Sequence, residues 1–162
     1  MKTIKLILIF LFTGILVQTS LSAKEPKTTM KLLTAHTWIW EVPSTSYSSE
    51  EFIGRFNIYN NNTFTSTTRY LGLSPSNYTM YYYLSDVPEY KFDESKIGKV
   101  QNGKYIIRVN LKNPELVNLA EIIELTDKIL KVKAIRNPNN SNSSGRTDDS
   151  IETFLPYEGK LE

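Results

Sequence analysis

The sequence predicts an all-β domain, an up-and-down antiparallel barrel of about eight strands, from three features of the chain. Short runs of alternating apolar and polar residues recur with turn residues between them, and no segment has the apolar periodicity of a long helix. Tyr is frequent, with ten residues, and aromatic residues favour strands. Sequential hairpins without long crossovers favour a closed barrel over a sandwich, because closure removes the exposed edges of a sheet.

The first 23 residues have the pattern of a signal peptide for export to the periplasm or the medium. Lys2 and Lys5 precede an apolar run at 6–17, and small residues at 19–23 fit cleavage after Ala23, or one residue earlier after Ser22. The run of about 12 residues is shorter than the roughly 20 that span a bilayer, so we expect removal rather than anchoring. The expected division is a signal peptide at 1–23, a flexible leader at 24–31, a barrel domain at 32–157 and a tail at 158–162.

The expected mature domain carries no net charge. The whole chain has 19 Lys and Arg against 17 Asp and Glu, and loss of Lys2 and Lys5 leaves 17 of each. A neutral domain lacks the basic surface that nucleic acid or an anionic membrane attracts. Because the chain has no Cys, disulfides, Cys-ligated zinc, thiol catalysis and a Cys-linked lipid anchor are excluded.

The first half of the domain contains the clearest hairpin. Residues 32–33 predict one helical turn, and a strand at 36–42 follows with Trp38 and Trp40 on one face. Strands at 51–59 and 63–70 are joined by a turn of three Asn residues, which tolerate left-handed backbone angles. The first of these carries Phe52, Gly54, Phe56 and Ile58 on one face, and its mid-strand glycine predicts a bulge.

The second half predicts shorter strands, at 79–84, 90–93, 96–101, 104–111, 120–125, 129–136 and 151–157. Asn102-Gly103 is the strongest two-residue hairpin signal. In the strand at 129–136, Leu130, Val132 and Ala134 point to one side and two lysines to the other, as expected for a strand with one wet face. We expect loops at 71–78, 112–118 and 137–150.

Several of these segments, in this order, resemble bacterial lipocalin-like domains, which are small calycin-type barrels. The segments are Leu-Leu-Thr-Ala-His-Thr-Trp at 32–38, Phe-Asn-Ile-Tyr-Asn-Asn-Asn-Thr-Phe-Thr at 56–65, the pattern I-x-x-L-T-x-x-x-L at 122–130, and Thr-Phe at 153–154. The family's usual Gly before the first Trp is absent, and residues 71–90 are longer and richer in Tyr than expected. The resemblance implies a barrel over residues 31–157 and little about activity, because many members have no assigned ligand.

The favoured function is binding of a small apolar or amphipathic ligand inside such a barrel. Its candidate lining residues are Trp40, Phe56, Tyr81, Tyr83 and Arg108. Tyr combines apolar area with a polar tip, and the fork of Arg108 matches a ligand carboxylate. In its strand, however, Tyr105, Ile107 and Val109 form the more apolar face, so the pattern favours an outward Arg108.

An alternative is an exported protein–protein interaction module, an inhibitor or immunity-type protein with a filled core that acts through its loops and Tyr-rich surface. Catalysis is not expected. His36 is the only His, which excludes a His-based triad and a multi-His metal site. The acidic pairs Glu121 with Glu124 and Asp148 with Asp149 have no fixed partners, and no phosphate-binding Gly loop or nucleophile signature is present. We therefore predict no enzyme activity, cofactor or metal.

Overall fold

The computed structural model describes residues 28–41, 52–139 and 150–159, and its strands close into a barrel. A short helix precedes them. The elements are α1 (Thr29–Leu33), β1 (Thr37–Trp40), β2 (Phe52–Tyr59), β3 (Thr63–Tyr70), β4 (Ser76–Ser85), β5 (Tyr105–Asn110), β6 (Asn113–Leu125), β7 (Leu130–Ile135) and β8 (Ile151–Tyr157). Each strand pairs antiparallel with the next and β8 pairs with β1, which confirms the predicted up-and-down barrel of about eight strands.

Helix α1 closes one end of the barrel. Its residues Met30 and Leu33 are buried in the interior, and the Trp38 indole donates a hydrogen bond to the Leu33 carbonyl at 2.9 Å. The Met30 amide donates to the Gln101 carbonyl, also at 2.9 Å. The helical turn predicted from the sequence is confirmed. It begins earlier than expected, so that residues 29–31 of the expected leader belong to it.

The barrel interior is filled near α1 by apolar side chains that alternate along the strands. This interior cluster comprises Met30, Leu33, Trp38, Tyr59, Phe64, Tyr82, Leu84, Ile106, Ala120, Leu130, Val132 and Phe154. Strand β7 follows its predicted pattern: Leu130 and Val132 lie in the interior cluster, and Lys131 ion-pairs with Glu124 on the outer face.

A second cluster lies outside the barrel wall. Tyr83, Ile107, Val109, Val117 and Leu119 are buried there, on the outer face of β4, β5 and β6. Phe92, from the chain between β4 and β5, packs against this outer cluster, with its ring 5.0 Å from the ring of Tyr83. Both faces of these strands are therefore buried, although an antiparallel barrel strand ordinarily has one wet face.

The chain at residues 86–104 differs from its prediction. The expected strands at 90–93 and 96–101 are wrong, since this connection contains a 3₁₀ turn at Glu94–Lys96. The hairpin expected at Asn102-Gly103 is also wrong. The Asn102 side chain instead accepts a hydrogen bond from the Thr29 amide at 3.0 Å and thereby holds α1. A Cβ at Gly103 would lie 2.7 Å from the Ser85 amide nitrogen, so glycine there permits close backbone packing.

The irregularity predicted at Gly54 is confirmed as a shift of the β2–β3 register between Phe52 and Gly54. The extra residue sends Phe52 to the inner face, where its ring lies 6.2 Å from the ring of Trp40. Gly54, Phe56 and Ile58 stay on the outer face. The loop predicted at 112–118 is also wrong, because those positions from Asn113 onward belong to β6.

Several predictions fall outside the described residues: the signal peptide and its cleavage site, the last residue of the strand predicted at 36–42, the acidic pair at 148–149, and most of the polar loop at 137–150. Across the three described ranges, no helix is long and apolar enough to cross a lipid bilayer.

Candidate ligand site inside the barrel

Polar side chains occupy the part of the barrel interior that lies between the apolar cluster and the barrel end opposite α1. Asn57 on β2 lies directly opposite Trp38 on one side and Ser66 of β3 on the other, so all three share the inner face. Two-residue alternation places further polar side chains on this face. We define the interior polar group as Arg55, Asn57, Ser66, Arg108 and Glu152.

Arg108 points into the barrel. It lies opposite Tyr82 of β4 and two residues from Ile106, and both belong to the interior cluster. Its guanidinium carbon lies 4.8 Å from the centre of the Phe64 ring, within the range of a cation–π contact. The side chain is 9% exposed, and its Nε has no hydrogen-bond partner among the described residues. The Nε–H of a buried, charged side chain therefore has no hydrogen-bond acceptor among the described residues.

Asn57 and Ser66 are the most deeply buried polar residues of the group, at 4% and 1% exposure. The Asn57 Oδ1 and the Ser66 Oγ make no hydrogen bond to any residue that the structure describes. A buried polar atom without a partner costs about 1–3 kcal/mol, so nearly all such atoms in folded proteins are paired with protein or with ordered water. The interior thus presents both acceptors and donors that the described chain leaves unused.

Arg55 is fixed by both charge and stacking. Its Nη2 lies 2.8 Å from Glu152 Oε1, and the two side chains are 19% and 16% exposed. Its guanidinium carbon lies 4.4 Å from the Trp40 ring centre and 5.4 Å from that of Phe154. Arg55 is thus oriented by its partners, and Glu152 balances its charge.

Tyr59 lies at the boundary between the interior polar group and the apolar cluster. Burial raises the pKa of its phenol, and the positive charges of Arg108 and Arg55 oppose that rise only in part. The phenol is therefore neutral over the physiological range and keeps its proton as a hydrogen-bond donor. Its ring packs at 5.0 Å from Phe64, the ring beneath Arg108.

Aromatic rings lie between the interior polar group and the barrel end opposite α1. Trp40, Phe52 and Tyr70 form this rim group, in successive edge-to-face contacts at 6.2 and 5.6 Å. These three residues sit at the ends of β1, β2 and β3. A molecule that reaches the interior polar group from this end would pass aromatic surface first, which is the arrangement that suits an amphipathic guest.

The structure brings together only two of the five residues predicted to line the site, Trp40 and Arg108. The expectation that Phe56, Tyr81 and Tyr83 line the interior is wrong. Phe56 lies on the outer face with its ring 4.9 Å from that of Tyr157. Tyr83 belongs to the outer cluster, and Tyr81 is 38% exposed. Of the three consecutive tyrosines at 81–83, the one that enters the barrel is Tyr82, whose hydroxyl donates to the Asn60 carbonyl at 2.6 Å.

The outward orientation favoured for Arg108 is wrong for a physical reason. Residues 86–104 cover the outer face of β5, so the more apolar side of that strand is buried outside the barrel. Sequence reasoning also missed Arg55, Asn57 and Ser66. Arg55 and Asn57 alternate with the apolar Gly54, Phe56 and Ile58, a pattern that looks like the wet face of a strand, and no local signal marks it as interior.

Comparisons of this chain with protein-family models, with curated proteins and with solved structures find no match. The described residues contain no group of three or more His, Asp or Glu side chains arranged to hold a metal ion. The candidate site is therefore defined by its own geometry.

Proposed function

We propose that this protein is an exported lipocalin-like binding protein that holds a small amphipathic ligand inside its barrel. The proposal is carried by one observation. Arg108, Asn57 and Ser66 are each at least nine-tenths buried, and each keeps a polar atom without a partner among the described residues. Retaining such atoms is costly for the folded chain unless another molecule supplies their hydrogen bonds.

The apolar part of the expected ligand follows from the rim group. Trp40, Phe52 and Tyr70 supply aromatic surface next to the polar side chains, and aromatic pockets with a few convergent polar groups are typical ligand sites. The barrel is compatible with this function, since the interior of eight strands is wide enough either to be filled by side chains or to hold one small ligand.

Native mass spectrometry of the protein purified from cells tests this function. We expect a non-covalent organic adduct that dissociates on denaturation. Ordered water is the competing partner for the unpaired atoms, and a mass equal to the polypeptide alone would favour it.

A fluorescent long-chain fatty acid gives the second measurement. We expect Asn57→Leu with Ser66→Val to weaken its binding about tenfold or more, because both side chains lose their hydrogen-bonding atoms. Tyr81→Ser, on the outer face, is the matched control and should bind like the wild type. The proposed function would be contradicted if the wild-type protein bound neither the probe nor any cellular molecule.

Export is part of the proposal and has its own test. The pattern at residues 1–23 supports cleavage after Ala23. The mass of the protein recovered from the periplasm or medium should therefore correspond to a chain that begins at Lys24. Recovery of the uncleaved chain from the cytoplasm would contradict export.

A second function, binding of a protein partner, is supported by a groove outside the barrel. The groove has a volume of about 490 Å³ and lies between the 86–104 connection and the start of β6, with Tyr90, Phe92 and Val117 among its lining residues. Aromatic residues are enriched at protein interfaces. Co-purification of a stoichiometric protein that is lost in Tyr90→Ser, with no small molecule in the barrel, would favour this function over the first.

A further inference from the structure

We infer that the ligand of the barrel is a monoanion, a carboxylic acid with an apolar body, whose carboxylate is bound by Arg108. The inference rests on the proposed function and names the chemical class of its ligand.

The charged side chains that face the interior indicate the charge of the ligand. Among the described strand residues on the inner face, the charged ones are Arg55, Arg108 and Glu152. Glu152 pairs with Arg55 at 2.8 Å, whereas Arg108 forms no ion pair with a described residue. A buried cation without a counter-charge is strongly unfavourable, so the site is complementary to one negative charge. A dianion such as a phosphate monoester would leave a net negative charge inside the barrel.

The position of the Arg108 guanidinium group indicates which anion it can bind. Arg108 starts on β5 and reaches across to Phe64 of β3, where its guanidinium carbon lies 4.8 Å from the ring centre. The Nε–H of this group has no partner among the described residues and is available to an acceptor in the interior. The fork of N–H donors matches the two oxygens of a carboxylate, which neither a Lys nor an amide reproduces.

The neighbours of Arg108 supply further hydrogen bonds. Ser66 is two residues from Phe64 on the same face of β3, about 7 Å along the strand, and its hydroxyl can donate to a carboxylate oxygen. Asn57, directly across from Ser66, has an unused acceptor for a donor on the ligand or a bound water. Tyr59 packs against the same Phe64 ring and offers a protonated phenol. Ser66 and Tyr59 can therefore donate to an acid head group, whereas the Asn57 Oδ1 can only accept, from a bound water or from a donor elsewhere on the ligand.

The experiment compares three probes of equal chain length: a fluorescent fatty acid, its alcohol and its phosphate monoester. We expect the wild-type protein to bind the acid about 10- to 100-fold more tightly than the alcohol, the range for hydrogen bonds to a charged group. Equal binding of acid and alcohol would overturn the carboxylate inference while leaving the proposed function intact. A preference for the phosphate ester would overturn the charge count. Binding of none of the three would count against the proposed function itself.

Variants locate the preference at Arg108. We expect Arg108→Met to bind acid and alcohol with equal affinity. Arg108→Lys keeps the charge without the fork, so it should retain only part of the preference. Lys131→Met removes a charge from the outer face and is the matched control, which should keep the full preference. An undiminished preference in Arg108→Met would overturn the assignment of this residue, and the wild-type comparison remains decisive if the variant fails to fold.

Discussion

The barrel wall separates two polar sites, one outside β4 and one in the interior, and they differ in how far their hydrogen bonds are satisfied. On the outer face, the Glu89 carboxylate accepts hydrogen bonds from Ser85 at 2.6 Å, from the Tyr83 hydroxyl at 2.9 Å and from Lys96 at 2.8 and 2.7 Å. Burial raises the pKa of Glu89, but these hydrogen bonds outweigh it and hold the pKa below its usual value. The outer site is a complete network that fastens residues 86–104 to the barrel wall.

The inner face carries the incomplete site. Arg108, Asn57 and Ser66 are buried more deeply than Glu89 and Lys96, yet each keeps an atom that no described residue satisfies. The difference separates two uses of buried polarity. In a network that stabilises the fold, every donor and acceptor is paired within the network. In a binding site, some donors and acceptors stay unpaired until the ligand binds.

The largest loss of stability should come from removing the aromatic ring of Tyr83 at the outer site. Tyr83→Ala removes a fully buried side chain that packs against Phe92, and we expect it to lower the free energy of unfolding by about 3–5 kcal/mol. Urea denaturation measures the change. Tyr81 lies two residues before Tyr83 on the same strand but is exposed, so Tyr81→Ala should lower the free energy of unfolding far less. Equal losses in the two variants would contradict a structural role for the outer cluster.

A direct comparison of the two sites gives the next effect. Glu89→Ala leaves the Ser85 hydroxyl without its acceptor and the Tyr83 hydroxyl with only the longer bond to the Lys91 carbonyl at 3.3 Å, and it should destabilise the protein by about 1–3 kcal/mol. Arg108→Met removes a cation that lacks a counter-charge and should leave stability unchanged or raise it by about 1–4 kcal/mol in the absence of ligand. Equilibrium unfolding of both variants is the test, and the reverse order of stabilities would refute the distinction between the sites.

The pH dependence of stability should come next in size. Because the folded state lowers the pKa of Glu89, its contribution is present above the ordinary pKa of 4.5 and is lost as pH falls through the lowered value. The difference in unfolding free energy between wild type and Glu89→Gln should therefore shrink as pH falls below that point. A difference that stays constant down to full protonation of the carboxylates would show that the charge of Glu89 contributes nothing.

The smallest effect is expected at an exposed ion pair. Lys131 and Glu124 lie 2.8 Å apart on the outer face, with side chains 36% and 43% exposed. Solvent screens such pairs, so Lys131→Ala should change the free energy of unfolding by about 0.2–1 kcal/mol. Thermal denaturation gives the value, and a loss as large as that of Glu89→Ala would show that exposure does not distinguish these sites.

The β2–β3 hairpin and β7 show how much the sequence could predict. Both strands of the hairpin, the bulge at Gly54 and the alternation of Leu130 and Val132 with the lysines follow from local patterns. The site could be predicted only in part. Trp40 and Arg108 were among its candidates, but Arg55, Asn57 and Ser66 carry no local mark of burial, because a polar residue that alternates with apolar ones reads as solvent-facing.

The sequence by itself determined which residues share a face within each uninterrupted stretch of strand, because side chains alternate with a period of two except across a bulge, as at Phe52. Only the tertiary structure decided which face is inside. A period of two is the same for both choices, and the usual rule that the more apolar face turns inward assumes that water covers the other. On β5 that assumption fails, since residues 86–104 bury the outer side with Ile107 and Val109, and Arg108 shares the inner side with Ile106.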